Sequence, residues 1–378
     1  MMRALLLASL MTVSSLVAGS FSAARADIVI GIAAPLTGTY APLGKQIEIG
    51  AQQAANEINE AGGINGENLV IEAIDDKCKP ENAKGVANQL IGKGATFVIG
   101  HVCDRPSIEA ASVYAENKII QISPASQNPA FTENRPLEKG GTYRFAARNT
   151  QQADVLIGFL SVAAAQENIV ILNDGSVYGK ALADTVTSGL EDAGIKPALN
   201  EGFETGQERY RTLSSKVVDA GARFVFIGGT HSDAAKIIQE LDSLSDKISF
   251  VGGDGLVHAD FPKLILENND KRPSLDGIFV SFPPDPRLLP TAKNAVVRFQ
   301  QKEINPVGYT LRGYSAVKII ESAMRRAKGK EFDALVEAMN AGKFQTPLGV
   351  INFDEKGDAD LVDYIIHRWE NDTVVPLK

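Results

Sequence analysis

Residues 28–63 read IVIGIAAPLTGTYAPLGKQIEIGAQQAANEINEAGG, and the spacing of their apolar residues changes part-way along. Ile28-Val29-Ile30-Gly31-Ile32 is a continuous apolar run, as expected of a strand covered on both faces. Ala33, Pro35, Thr37 and Gly38 break it. Ile47, Ala51, Ala54, Ala55 and Ile58 then recur at helical spacing, which predicts a helix ended by Gly62-Gly63. The same unit repeats downstream. Leu69-Val70-Ile71 predicts a strand, and after Pro80 the residues Ala83, Val86, Ala87, Leu90 and Ile91 share one helix face. Phe97 to Gly100, a helix from Ser107 to Asn117, and Ile119-Ile120-Gln121-Ile122 continue the alternation. Repeated strand–helix–strand units predict a parallel, doubly wound sheet with helices on both faces.

The series then restarts. A helix is predicted from Asp154 to Gln166, followed by the strand Ile169-Val170-Ile171-Leu172, which ends at Asn173-Asp174-Gly175. A further helix runs from near Tyr178 to Gly194. The strands Phe224 to Ile227 and Phe250-Val251 end in Gly228-Gly229 and Gly252-Gly253. Apolar segments Gly277 to Phe282, Leu348 to Phe353 and Val362 to Trp369 predict late strands, with helices between the first two. No low-complexity linker separates the two series, which favours two α/β lobes with several short crossings.

Composition narrows the function. The 378 residues are 44% hydrophobic and 22% charged, an ordinary globular balance with room for two domains. A net charge of −8 without a dense basic run disfavours nucleic acid and anionic membrane surfaces as partners. At the N-terminus, Arg3 precedes the apolar run Ala4 to Val13, and the segment ends Ala24-Arg25-Ala26. Positive charge, a short apolar stretch and a small-x-small end predict a secretory signal peptide, cleaved after Ala26. The run falls short of the roughly 20 apolar residues a membrane span needs. The mature chain would have 352 residues and a formal charge of −10. Export makes Cys78 and Cys103 a disulfide rather than a redox or metal pair, and no activating partner sits near either thiol in sequence. Closing that loop contributes about 3 kcal/mol in the chain-entropy model.

Catalytic signatures are missing. The sequence has no GxSxG, HExxH, GxxxxGK[ST] or GxGxxG motif. His101, His231, His258 and His367 are scattered without ligand spacing and read as structural or surface residues. Asp75-Asp76 has a reading as a metal carboxylate pair and an equal one as a strand end beside the cysteine loop. No cofactor and no metal are expected. What remains is a set of strand-end loops rich in small polar groups. Cys103-Asp104-Arg105-Pro106-Ser107 leads into a helix, and Ser123-Pro124-Ala125-Ser126-Gln127 follows the next strand. Free N–H groups at such turns hold carboxylates. Asp254, within Gly252-Gly253-Asp254-Gly255, can pair with an ammonium, and Tyr178 can close over it. Taken singly, each reads as capping or turn chemistry. Together they predict a cleft for a small zwitterion.

With these residues in view, the mature chain resembles the periplasmic leucine/isoleucine/valine-binding family of ABC importers along nearly its whole length. The resemblance is carried by Pro35-Leu36-Thr37-Gly38, Ala61 to Gly66, Asp75-Asp76-Lys77-Cys78, Val98 to Cys103, Ser123 to Ser126, Asp174 to Gly179 and Phe353 to Asp358, in this order. It implies the type 1 periplasmic binding protein fold: two doubly wound α/β lobes joined by a three-segment hinge, with a Cys78–Cys103 disulfide. The lobes would comprise 27–147 plus 283–350 and 148–282 plus 351–378. The crossings would fall near Ala147-Arg148, Ser281 to Pro283 and Gly349 to Phe353.

Carried over by motif, the family's ligand-binding serine and threonine fall on Asp104 and Gln127. Its backbone carbonyl contact falls on Ala125, beside Ser126. Its aromatic wall is kept at Tyr178, a second aromatic position is Thr230, and its acidic residue is Asp254 in place of glutamate. An aromatic of the first loop is replaced by Leu43, with Tyr40 close by. Asp104 would repel a carboxylate at the serine position unless Arg105 turned inward or Asp104 faced solvent. A polar or basic amino acid, or a related small amide, is therefore open beside leucine, isoleucine and valine. The resemblance implies a monomeric, non-enzymatic periplasmic protein that delivers a small amino acid to ABC permease subunits. A sensor of the same fold reporting to a receptor is the alternative, and an exported enzyme a more distant one.

Overall fold

A computed structural model describes residues 27–377 apart from 39, 139, 164–166, 259, 268–273 and 362–363. The signal-peptide segment, the end of the helix expected to reach Gln166 and the start of the strand expected at Val362 lie outside the described residues. The first sheet holds β1 (Ile28–Ala34), β2 (Leu69–Asp75), β3 (Ala95–Gly100), β4 (Ile120–Ser123) and β5 (Thr142–Arg144) in the order β2-β1-β3-β4-β5, all parallel. The second contains β6 (Ile169–Asn173), β7 (Leu199–Gly202), β8 (Phe224–Gly228), β9 (Ser249–Gly252) and β10 (Ile278–Phe282). A hairpin, β11 (Phe344–Thr346) and β12 (Gly349–Ile351), stands apart from both sheets. The antiparallel β13 (Ile365–Glu370) and β14 (Thr373–Pro376) complete the second sheet, in the order β14-β13-β10-β9-β8-β6-β7.

The parallel part of each sheet therefore repeats one winding order, with the direction of winding reversing between β1 and β3 and again between β6 and β8. Open α/β sheets place ligands outside the carboxyl ends of the strands at such reversal points. The apolar runs are continuous because both faces are covered. Along β6, Ile169 and Ile171 belong to one buried cluster and Val170 and Leu172 to another. In β1, Ile28, Ile30 and Ile32 join the main first-lobe core, whereas Val29 and Ala33 pack on the opposite face. The first expected helix spans Ala41–Glu60 and packs on Thr310–Ala327. Glycine makes that approach possible: a Cβ on Gly50 would lie 1.9 Å from the Thr310 carbonyl oxygen.

Several elements differ from expectation. The helix expected from Ser107 starts at Asp104, so Pro106 occupies its third position. The strands β5, β7, β11 and β14 are short, partly polar and invisible to periodicity. Residues 351–361 are expected in the second lobe, yet Ile351, Phe353, Ala359 and Leu361 lie in the first-lobe core. A turn at Asp354–Gly357 folds this stretch back along β5, where Arg144 N–H donates to Gly357 at 2.8 Å and Ala359 N–H to Arg144 at 2.9 Å. Leu361 is the last residue of this stretch in the first-lobe core and Ile365 opens β13 of the second sheet, so the chain is still in the first lobe beyond the expected crossing at Gly349 to Phe353. The second crossing runs through Pro283-Pro284-Asp285-Pro286, where three fixed-φ residues stiffen the passage.

Candidate functional site

The first two crossings leave from the carboxyl ends of β5 and β10, and the expected ligand residues lie on loops at those ends of the two sheets. On the first lobe, the loop after β2 is tied down by its own carboxylates. Asp75 accepts from the N–H groups of Leu36 and Lys77 at 2.8 and 2.9 Å and from the Thr37 hydroxyl at 2.5 Å. Burial works against ionisation of Asp75, but these donors outweigh it and hold its carboxyl below the usual range. Asp76, fully buried, accepts from Cys78 N–H at 2.8 Å and meets the buried His101 Nδ1 at 2.6 Å. Both acids of the pair are thus committed to loop structure. Cys78 and Cys103 are joined as a disulfide with their Cα atoms 5.5 Å apart, linking this loop to the one after β3.

Beneath that bridge, His101 Nε2 lies 3.3 Å from the Tyr114 hydroxyl. The His101 carbonyl accepts from Ser123 Oγ at 2.6 Å and Ser107 Oγ at 3.1 Å. The two loops next to the β1/β3 reversal are locked together in this way. At their rim, Asp104 turns toward its own chain: Oδ1 accepts from Ser126 Oγ at 2.8 Å, from Gln127 N–H at 2.7 Å and from Asn128 N–H at 3.0 Å. Ser126 is fully buried and Ala125 nearly so. Ser126 N–H goes to Ser123 Oγ at 2.9 Å. Asp104 is half-buried, and Arg105 is exposed rather than turned inward. The Gln127 side chain reaches across to the Tyr364 hydroxyl at 3.4 Å. Leu43 packs on the first-lobe core, while Tyr40 is exposed.

This lip hangs from a buried ion network. Arg144, wholly buried, donates from Nε to Asp358 Oδ1 at 2.7 Å and from Nη1 to the Asn128 carbonyl at 2.7 Å. Thr132 donates to Asp358 at 2.7 Å, and Arg148 bonds both Asp358 and Glu133. Burial would raise the Asp358 pKa, but Arg144, Thr132 and Arg148 together hold it below the ordinary carboxylate value.

The second lip is built from side chains alone. Asp254, in the short 3-10 turn after β9, accepts on Oδ1 from the Tyr178 hydroxyl at 2.6 Å and from Gln152 Nε2 at 3.1 Å. Burial, reinforced by the Asp254 charge, raises the Tyr178 phenol so that it stays a donor. Glycines make room for this cluster: a Cβ on Gly253 would sit 2.1 Å from the Tyr178 hydroxyl. Ser176 caps the helix that carries Tyr178 by accepting from Gly179 N–H. Thr230 is exposed at the start of the helix His231–Leu244 and makes no side-chain capping bond. Beside it, the His231 and His258 rings stack with centroids 3.9 Å apart. Burial and the neighbouring His258 lower the His231 pKa, with Asp260 opposing.

Asp104, Ala125, Ser126 and Gln127 are therefore gathered on the first lip, and Tyr178 and Asp254 on the second, with Thr230 at the second sheet's reversal point. Sequence reasoning missed Gln152, Arg144 and Asp358, because nothing local to each residue marks it. A cavity of about 570 Å³ runs along the crossings, lined by Gln127, Phe282, Pro284, Tyr309, Leu361 and Tyr364 among others. Of the expected ligand residues, only Gln127 borders it. Among the described residues, no group of three or more His, Cys, Asp and Glu side chains is arranged to hold a metal.

The sequence pattern of the periplasmic binding protein family matches residues 27–372. The chain belongs to that family. A Leu/Ile/Val-binding protein homolog of Brucella suis is 36% identical to this binding protein over 348 residues, covering 92% of this chain and 91% of its own. An amino acid binding protein of Pseudomonas aeruginosa is 34% identical over 359 residues, covering 94% of each. Among solved structures, an ABC transporter substrate-binding protein of Desulfitobacterium hafniense, in complex with Leu, superposes with a TM-score of 0.73. It covers 93% of this chain and all of its own at 21% identity. Together these place the binding protein in the branched-chain amino-acid transporter branch of the family and in the type 1 fold. No described helix is long and apolar enough to cross a membrane.

Proposed function

We propose that this binding protein is exported and captures a small amino acid, or a close relative of one, between its two lobes for delivery to an ABC permease. One observation carries the reading: two sheets of equal winding order each bear, on the loops that follow their strands, an aspartate anchored by hydrogen-bonding neighbours. The ligand would contact Asp104, Ala125, Ser126 and Gln127 on one side and Tyr178, Thr230 and Asp254 on the other. Lobes 27–147 plus 283–361 and 148–282 plus 365–377 would close by bending at the crossings. Tighter binding to the closed form would then drive closure. The relatives' names, all of binding proteins, support capture without turnover.

The test has two parts. Solute should make the protein more compact by small-angle scattering, and the loaded protein should stimulate ATP hydrolysis by the permease complex in vesicles. Chemical conversion of the solute, or uptake that proceeds equally well without the protein, would overturn the proposal. Stimulation of a receptor in place of the permease would favour the sensor reading.

A further inference from the structure

We infer that the cleft takes a small organic cation with N–H donors at both ends and no free carboxylate, of the kind represented by an amino-acid amide or an aliphatic diamine. This rests on the solute-capture reading above and specifies the chemistry of its solute. The ground is an internal carboxylate that already fills the first lip. A ligand carboxylate needs backbone N–H groups and hydroxyls at a strand-end turn. Here the Gln127 and Asn128 N–H groups and the Ser126 hydroxyl all go to Asp104 Oδ1, at 2.7, 3.0 and 2.8 Å. Ser126 N–H is spent on Ser123 Oγ. An incoming carboxylate would either evict Asp104 from three donors or take the first N–H groups of the helix that Asp104 opens; in both places it lies beside the Asp104 carboxylate, and like charges in a partly desolvated site disfavour each other.

The charge balance points the same way. Every donor to Asp104 is neutral, as are both donors to Asp254, the Tyr178 phenol and the Gln152 amide. Among the described residues neither carboxylate has a Lys or Arg partner. On each, Oδ1 is anchored, whereas Oδ2 receives no hydrogen bond from the described residues. Each lip therefore presents a fixed negative charge with one open acceptor oxygen. A zwitterion satisfies the second lip and is repelled by the first. A cation with an N–H donor at each end satisfies both.

The experiment uses the full chain, exported and processed by its host, then unfolded and refolded to strip any solute. Calorimetric titrations with L-leucine, L-leucinamide, 1,4-diaminobutane and the neutral isovaleramide are compared. Leucinamide or diaminobutane should bind at least about tenfold more tightly than leucine, or about 1.4 kcal/mol. Asp104→Asn keeps an acceptor for the three donors but removes the charge. It should melt like the wild type and weaken the cation by about tenfold or more. Asp104→Ser should reverse the order in favour of leucine. Tighter binding of leucine than of leucinamide by the wild type would overturn the inference and leave solute capture standing. Isovaleramide binding as tightly as leucinamide would remove the need for a cation. If no probe bound the wild type or either folded variant, both the inference and the amino-acid-like solute of the capture reading would fall.

Discussion

The two lips of the cleft each present an aspartate, and they hold it in different ways. Asp104 sits at the start of a helix, receives two backbone N–H groups and a buried hydroxyl, and is backed by a disulfide and a wholly buried arginine. Asp254 stands in a glycine-flanked turn and is held by two side chains, one of which, Tyr178, remains 38% exposed. The first lip is a structural unit whose chemistry is fixed by its fold. The second is held by two side chains, with no backbone N–H among the donors to Asp254. A part of the molecule can thus have the donor-rich turn of a binding site and already be satisfied from within.

The largest effect that would break this contrast is at Arg144. Replacing it with Met takes from Asp358 its wholly buried partner, leaving Thr132 and Arg148, and removes the donor to the Asn128 carbonyl; it should cost about 3–5 kcal/mol in urea unfolding. A loss below about 1 kcal/mol would mean that the first lip does not depend on the buried network. Next comes the Cys78→Ser/Cys103→Ser double variant, which should lose about 3 kcal/mol by the same measurement. Retention of full stability there would detach the lip from its bridge.

A smaller effect sharpens the comparison directly. Asp104→Ala leaves three donors without their acceptor and should destabilise by about 1–3 kcal/mol. Asp254→Ala should shift stability by less than about 1 kcal/mol while abolishing detectable solute binding. Equal melting temperatures for the two variants would erase the distinction between the lips.

The smallest effect is in pH. Burial lowers the His367 pKa, against the Ile365 carbonyl, and His367 lies in β13 of the second sheet. A depressed imidazole contributes stability above the ordinary histidine value of about 6.5 and loses it as the pH falls through that value, because the unfolded chain binds the proton first. Asp358, also held below its ordinary value, keeps its contribution until the pH falls below about 4. Hydrogen exchange on acidification should therefore show the second lobe loosening before the first. The opposite order would contradict the assignment of these groups.

The parallel strands β1 to β4, β6 and β8 to β10 were legible because burial on both faces writes unbroken apolar runs into the sequence. Edge strands were not. Thr142-Tyr143-Arg144 is three residues long, and its middle residue is the only apolar one. The segment 351–361 is not legible because its few apolar residues are separated by a charged turn, and their place in the first-lobe core is set by pairing with β5, where Arg144 and Asp358 are 214 positions apart. Candidate ligand residues were found through the loops that follow strands. Gln152 and Asp358 were missed because each acts on a partner more than a hundred positions away.

By itself, the sequence determined the class of fold, the repetition of one α/β winding and the loops where a ligand would sit, since apolar periodicity and strand-end residues are local properties. The direction of the Asp104 carboxylate was a different kind of fact. The sequence left it turned toward the ligand or out to solvent, and the structure adds a third engagement: Oδ1 turns back onto the 126–128 loop, which leaves only Oδ2 without a hydrogen bond from the described residues. That outcome depends on where β3 and β4 end relative to each other, on the disulfide and on Arg144 beneath, and only the packed chain brings these together.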